Sequence, residues 1–77
     1  MPTERLLLND LEVAELLGIS RASLHRLRAG GRLPAPLKLG RSCRWRRDEL
    51  MRWIAAGAPP LDLWRELEAQ ARRRGTG

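Results

Sequence analysis

The stretch from Leu11 to Gly31, LEVAELLGISRASLHRLRAGG, decides the reading of this chain. Before it, Asn9 is a good helix N-cap, and Glu12 stands three positions on, giving a variant of the capping box. The spacing predicts a first helix over 10–17, with Leu11, Val13, Ala14, Leu16 and Leu17 as its apolar residues. Gly18 supplies the left-handed residue that ends it. Ile19 follows, and Ser20 is a second N-cap for a helix over 21–29, with Leu24 and Leu27 inward and Gly30-Gly31 as its stop. Ala14 is small where a second helix must cross closely, and Gly18 follows four residues later. Val13, Leu17, Ile19, Leu24 and Leu27 are apolar where two such helices must pack. All seven positions agree.

Outward from this segment, Leu33-Pro34-Ala35-Pro36 reads as an extended connector, because proline lacks an N–H and pushes its predecessor out of the helical region. Leu37-Lys38-Leu39 and Cys43-Arg44-Trp45-Arg46 alternate apolar and polar residues around Gly40-Arg41-Ser42, which predicts a β-hairpin. The alternation places Leu37, Leu39, Cys43 and Trp45 inward, Lys38, Arg44 and Arg46 outward, and Arg41 at the tip. A third helix is expected over 48–56, with Asp48 and Glu49 at its positive end and Leu50, Trp53 and Ile54 as its buried stripe. Ala58-Pro59-Pro60 is a stiff linker. A fourth helix over 61–74 has Leu63, Trp64, Leu67 and Ala71 as its stripe and a Glu68–Arg72 pair. Its terminal Arg72-Arg73-Arg74 run suits the helix dipole as well as it suits a polyanion. Leu6-Leu7-Leu8 reads as a short strand or as a staple for the first helix. Two units are expected, 1–57 and 58–77, the second packing on the core or on a neighbouring protomer.

Composition narrows the function. The 77 residues carry 15 Lys+Arg against 9 Asp+Glu, for a net charge of +6, and only Lys38 among the cations is not Arg. Arginine suits bidentate binding to phosphates and guanine edges. The charge is segregated: residues 1–20 carry net −3, residues 21–52 net +8 and residues 53–77 net +1. A basic block of that density favours a polyanion partner. One cysteine excludes an internal disulfide framework and, with a single histidine, argues against structural zinc. No apolar run approaches the roughly 20 residues of a membrane span. The start Met1-Pro2-Thr3-Glu4-Arg5 does not resemble a secretory signal, so a cytoplasmic, nucleoid-associated protein is expected. A carboxylate pair, a Cys/His arrangement, a phosphate-cradling loop and a metal-ligand cluster are all lacking, so no enzyme, cofactor or metal is expected. His25 has no Ser, Cys or carboxylate partner at a suggestive spacing. The three tryptophans, the only aromatics, each fall on an inward phase and read as core rather than as base-stacking platforms.

Two short helices joined through Gly18-Ile19-Ser20 make a helix-turn-helix candidate, the alternative being a helical hairpin used only for packing or protein contact; with the basic hairpin the expected fold is a winged helix-turn-helix, mainly α with a small β-wing. In such a protein the second helix enters the major groove with its N-terminal part at the base edges. The candidate DNA-contacting residues are Ser20, Arg21, Ser23, His25, Arg26 and Arg28 on that helix, and Lys38, Arg41, Ser42, Arg44 and Arg46 on the wing. Arg21 and Arg26 can pair bidentately with guanine. Ser20 doubles as a cap. The competing reading is a protein-interaction adaptor that keeps the winged fold without binding DNA.

"LEVAELLGISRASLHRLRAGGRLPAPLKLG" followed by "RWRRDELMRWI" resembles the AlpA-like, excisionase-type winged helix-turn-helix proteins, relatives of the DNA-binding domain of MerR-type regulators. The resemblance runs from about Leu6 to Ala56. It implies a bacterial or mobile-element protein that binds double-stranded DNA, acting as a transcription regulator or as a recombination directionality factor. The partners it implies are DNA, a second copy on an adjacent site, and an integrase or RNA polymerase. Carried over by position, its DNA contacts fall on Ser20, Arg21, Ser23, His25 and Arg26, with wing contacts at Arg41 and Arg44. This chain departs from the pattern at His25, where the family often has Tyr, at Asp48, near a usual Ser, and at Cys43, in place of an aliphatic residue.

Overall fold

Asn9 opens the first helix by accepting a hydrogen bond from the Glu12 N–H (2.8 Å), while the Glu12 carboxylate accepts from the Asn9 N–H (3.0 Å). In the computed structural model, which describes residues 5–75 and side chains as far as Arg73, this box starts α1 (Asp10–Leu17). The N-terminal residues read against a secretory signal include 1–4, which lie outside the described residues, as does the side chain of Arg74. Gly18 ends α1 at φ +70°, a conformation that costs other residues about 1–2 kcal/mol. There the Ile19 N–H reaches the Ala14 carbonyl (3.0 Å) and the Gly18 N–H the Glu15 carbonyl (3.1 Å), closing a Schellman motif. Ser20 then caps α2 (Arg21–Ala29), its Oγ accepting from the Ser23 N–H at 3.1 Å. Both helices have the predicted bounds, because each end is written in local capping chemistry.

The strands are β1 (Leu7–Leu8), β2 (Leu37–Leu39) and β3 (Ser42–Arg46), forming an antiparallel sheet in the order β1-β3-β2. The leucine run is thus a strand that pairs with the wing. The facing read from the hairpin's alternation needs correction. Ser42 belongs to β3, so the turn has two residues, Gly40 and Arg41, and the register pairs Leu37 with Arg44, Lys38 with Cys43 and Leu39 with Ser42. Residues paired across antiparallel strands share a face, and a one-residue slip exchanges the faces. Lys38 therefore stands on the side of Cys43 and Trp45. Leu37 and Leu39 share the other face with Ser42, Arg44 and Arg46, and Leu39 is 51% exposed rather than inward.

Helix α3 (Arg47–Ala55) begins one residue earlier than expected, directly after β3, and its N-cap Arg46 makes no side-chain cap bond. Helix α4 (Leu61–Gly75) follows the Pro59-Pro60 linker. One core joins Leu8, Val13, Ala14, Leu24, Leu33, Trp45, Leu50, Trp53 and Trp64, with Leu17 and Ile19 packed against it. The three indoles are all buried, and each N–H finds an acceptor: Trp45 on the Pro34 carbonyl (2.8 Å), Trp53 on the Pro59 carbonyl (2.8 Å) and Trp64 on the Glu49 carboxylate (3.0 Å). Several residues assigned to apolar stripes are instead exposed: Leu11, Leu16, Ile54, Leu63 and Leu67. So small a domain has one inward line per helix, and the stripe edges remain wet. Glu68 pairs with Arg52 of α3 at 2.8 Å rather than with Arg72 on its own helix. That bond and buried Trp64 hold α4 against α3.

Candidate nucleic-acid interface

Helix α2 buries Leu24 and turns Arg21, Ala22, His25, Arg26 and Arg28 to solvent, with Ser23 half-buried. Hydrogen bonds link several of these side chains. Ser20 Oγ donates to Ser23 Oγ (3.0 Å), and Arg26 Nη2 donates to the same Ser23 oxygen (3.2 Å). One serine hydroxyl thus links the cap of α2 to the arginine one turn further on.

Arg21 and His25, one turn apart, face Asp10 at the start of α1. Arg21 Nη2 donates to Asp10 Oδ2 at 2.9 Å, and His25 Nε2 lies 3.4 Å from the same oxygen. The hydrogen bond from Arg21 holds the Asp10 carboxyl below its ordinary value, against the opposing effect of burial and with help from the Leu11 N–H. His25 has no carboxylate at a suggestive spacing in the sequence, yet the fold brings one to it. Asp10 lies fifteen positions away on another helix, and only the tight turn brings it close, so nothing in the local spacing could have revealed it.

Arg28 points toward the wing. Its guanidinium lies over the Trp45 ring, 5.6 Å from the centroid, and Nη2 is 3.9 Å from Cys43 Sγ. A cation over an indole face is attracted by the ring quadrupole. Arg28 thus joins α2 to the sheet.

The wing residues separate. Arg41 at the turn, Ser42 beside it and Lys38 are exposed. Arg44 is half-buried and donates to the Cys43 carbonyl (2.9 Å). Arg46 is exposed on the sheet face away from Cys43 and Trp45, where it lines a groove against α4 with Leu37, Glu49 and Trp64. Between α2 and the wing runs an open cleft of about 350 Å³, lined by Asp10, His25, Arg28, Arg41, Ser42, Cys43, Arg44 and Trp45. The structure brings five of the proposed contact residues to that cleft and sets Arg46 apart from it.

Among the described residues no cluster of His, Cys, Asp and Glu could hold a metal ion, and no helix is long and apolar enough to cross a membrane. A capped, basic second helix presented by a tight turn and flanked by a cationic β-hairpin defines a DNA-binding winged helix-turn-helix protein. Residues 8–58 match a family described as a helix-turn-helix domain, of the excisionase and AlpA-like kind, and the chain belongs to it. The match takes in every element from Leu8 of β1 to the end of α3 and leaves α4 outside. Such families are typically non-enzymatic. Neither the curated proteins nor the solved structures contain a match.

Proposed function

We propose that the chain reads double-stranded DNA in a sequence-specific manner, with the N-terminal half of α2 in the major groove and the wing on the backbone or in the minor groove. One observation carries this reading. Around buried Leu24, α2 leaves Arg21, His25 and Arg26 exposed, and His25 shares a cleft with Arg41 of the wing tip. Arg26 and Arg21 are the base readers, Ser23 orients Arg26, and Lys38, Arg41 and Ser42 contact phosphates. Arg28 and Arg44 fix the wing. Residues 1–57 form the DNA-binding unit and α4 braces it. The resemblance to excisionase-type proteins supports action as a transcription regulator, beside RNA polymerase, or as a recombination directionality factor, beside an integrase. Either role places the chain on the nucleoid.

The test is a mobility-shift titration on a duplex selected from a randomised library and on a random duplex, across a salt series. The two cations assigned to phosphates, Lys38 and Arg41, give a slope of log K against log salt of about −1.8 per protomer. Replacing Arg26 by Ala should cost about 1–3 kcal/mol on the selected site and relax preference at one or two base pairs. Replacing Arg41 should weaken selected and random DNA alike. A wild-type slope near zero would favour the adaptor reading instead.

A further inference from the structure

The two oxygens of Asp10 are used differently. Oδ1 accepts from the Leu11 N–H at 2.8 Å, which fixes the carboxylate on the first turn of α1. Oδ2 takes Arg21 at 2.9 Å and faces His25 at 3.4 Å. Asp10 is not needed to cap α1, since Asn9 and Glu12 complete that box. Nor does the pair do much for stability: Arg21 is 58% exposed, and an exposed ion pair contributes little. What the contact does control is the direction of a guanidinium on the face of α2 assigned above to DNA. Asp10 also opens on the cleft between α2 and the wing, beside Arg28 and Arg41.

We propose that Asp10 is a specificity-determining positioning residue of the DNA interface, holding Arg21 off the phosphate backbone and orienting it for base edges. This rests on the DNA-binding reading above. A guanidinium has five N–H donors in a fixed fork, so one edge can stay on the carboxylate while another meets a base. An unrestrained Arg21 would swing to the nearest phosphate, a contact that carries no sequence information. The carboxylate opposes that motion on every duplex, because it is repelled by phosphate and retains its cation. The pre-oriented guanidinium regains the loss only where the base presents matching acceptors, as guanine does with O6 and N7. Asp10 therefore lowers affinity for random DNA and raises the ratio of selected to random binding.

The experiment compares the full chain with Asp10→Asn, Arg21→Ala and the double variant. Asparagine keeps an acceptor for the Leu11 N–H and nearly the same shape, and a melting curve checks that the variant folds. The probes are a duplex selected by the wild-type chain from a randomised library and a random-sequence duplex. Asp10→Asn frees about one cation for phosphate, so from about 50 to 200 mM salt it should lose about 3.5-fold more random-duplex affinity than wild type. Its random-duplex binding at low salt should be stronger, and the selected-to-random ratio should fall by a similar factor. In the Arg21→Ala background the same substitution should leave that ratio nearly unchanged, since residues that act through one another are not additive. An unaltered ratio in Asp10→Asn, or an equal change with and without Arg21, overturns the proposal. Wild type that binds no duplex in a salt-dependent way overturns the DNA-binding reading itself, and does so before any variant is compared.

Discussion

Truncating Trp64 to Ala asks whether α4 belongs to this domain energetically. Trp64 is 4% exposed, sits in the core cluster and donates its indole N–H to Glu49 at 3.0 Å. Its loss opens a cavity between α4 and the rest of the core and strips a half-buried carboxylate of its donor. Large-to-small changes of this kind cost about 3–5 kcal/mol. A domain of 77 residues has about 4–12 kcal/mol of stability in total, so the loss takes about a quarter of it or more. An unfolding entropy of about 2.1 cal/mol/K per residue converts that cost into a fall in Tm of about 20–30 °C. Another side-chain tie of α4, Arg52 to Glu68, is partly exposed and adds at most about 1 kcal/mol, too little to compensate. The assay is thermal melting by far-UV circular dichroism at several protein concentrations. Trp64→Phe keeps most of the ring and should cost much less, near the 1–3 kcal/mol of leaving a buried acceptor unpaired. A fall in Tm below about 5 °C for Trp64→Ala would refute the reasoning. A fall that depends on concentration would place α4 between protomers instead.

Two further outcomes follow from the geometry. An ideal Cβ at Gly18 would meet nothing within 4 Å, so Gly18→Ala suffers only the left-handed backbone, a cost of about 1–2 kcal/mol by denaturant melting. Gly18→Asn should cost less, and a loss above about 3 kcal/mol would mean that the turn is crowded. Asp10 has a lowered pKa, caused first by Arg21, so the stability it contributes is present above the ordinary carboxylate range and fades as pH falls through the lowered value. Melting should therefore show no Asp10-dependent change between about pH 5 and 8, and Asp10→Asn should flatten the profile only below about pH 4. Superimposed acid profiles of the variant and wild type would contradict this.

The legible parts of this molecule are those whose cause lies within a few residues. Asn9, Glu12, Gly18 and Ser20 act on backbone groups no more than five positions away, so both helices of the turn could be read directly. The tryptophans were legible as core from their phase, but not their acceptors, since no periodicity points to the carbonyl of a proline in a connector. The hairpin failed at one place. Two turn residues rather than three exchange the faces of a strand, and GRS permits either count. Within the candidate site, Arg21, His25 and Arg26 stood out by residue type on an exposed helix face. Asp10 did not, because its partners are eleven and fifteen positions away and meet it only through the tertiary turn. Arg46 keeps the face of Arg44, and what sets it apart is the groove against α4, a tertiary neighbour that strand alternation cannot reveal.

The burial of all three tryptophans also makes the chain its own optical instrument. With no tyrosine in the sequence, its near-ultraviolet emission comes wholly from indoles, and each of them is at least 96% shielded from water. Each also watches a different joint: Trp45 the seat of the wing against the Pro34 connector, Trp53 the linker at Pro59, and Trp64 the contact of α4 with α3. Trp45 lines the cleft between α2 and the wing, but it is only 2% exposed and lies under Arg28, so bound bases would not quench it by stacking. Variants that keep one indole at a time would report, by a shift of emission to the red, the order in which wing, linker and final helix come apart.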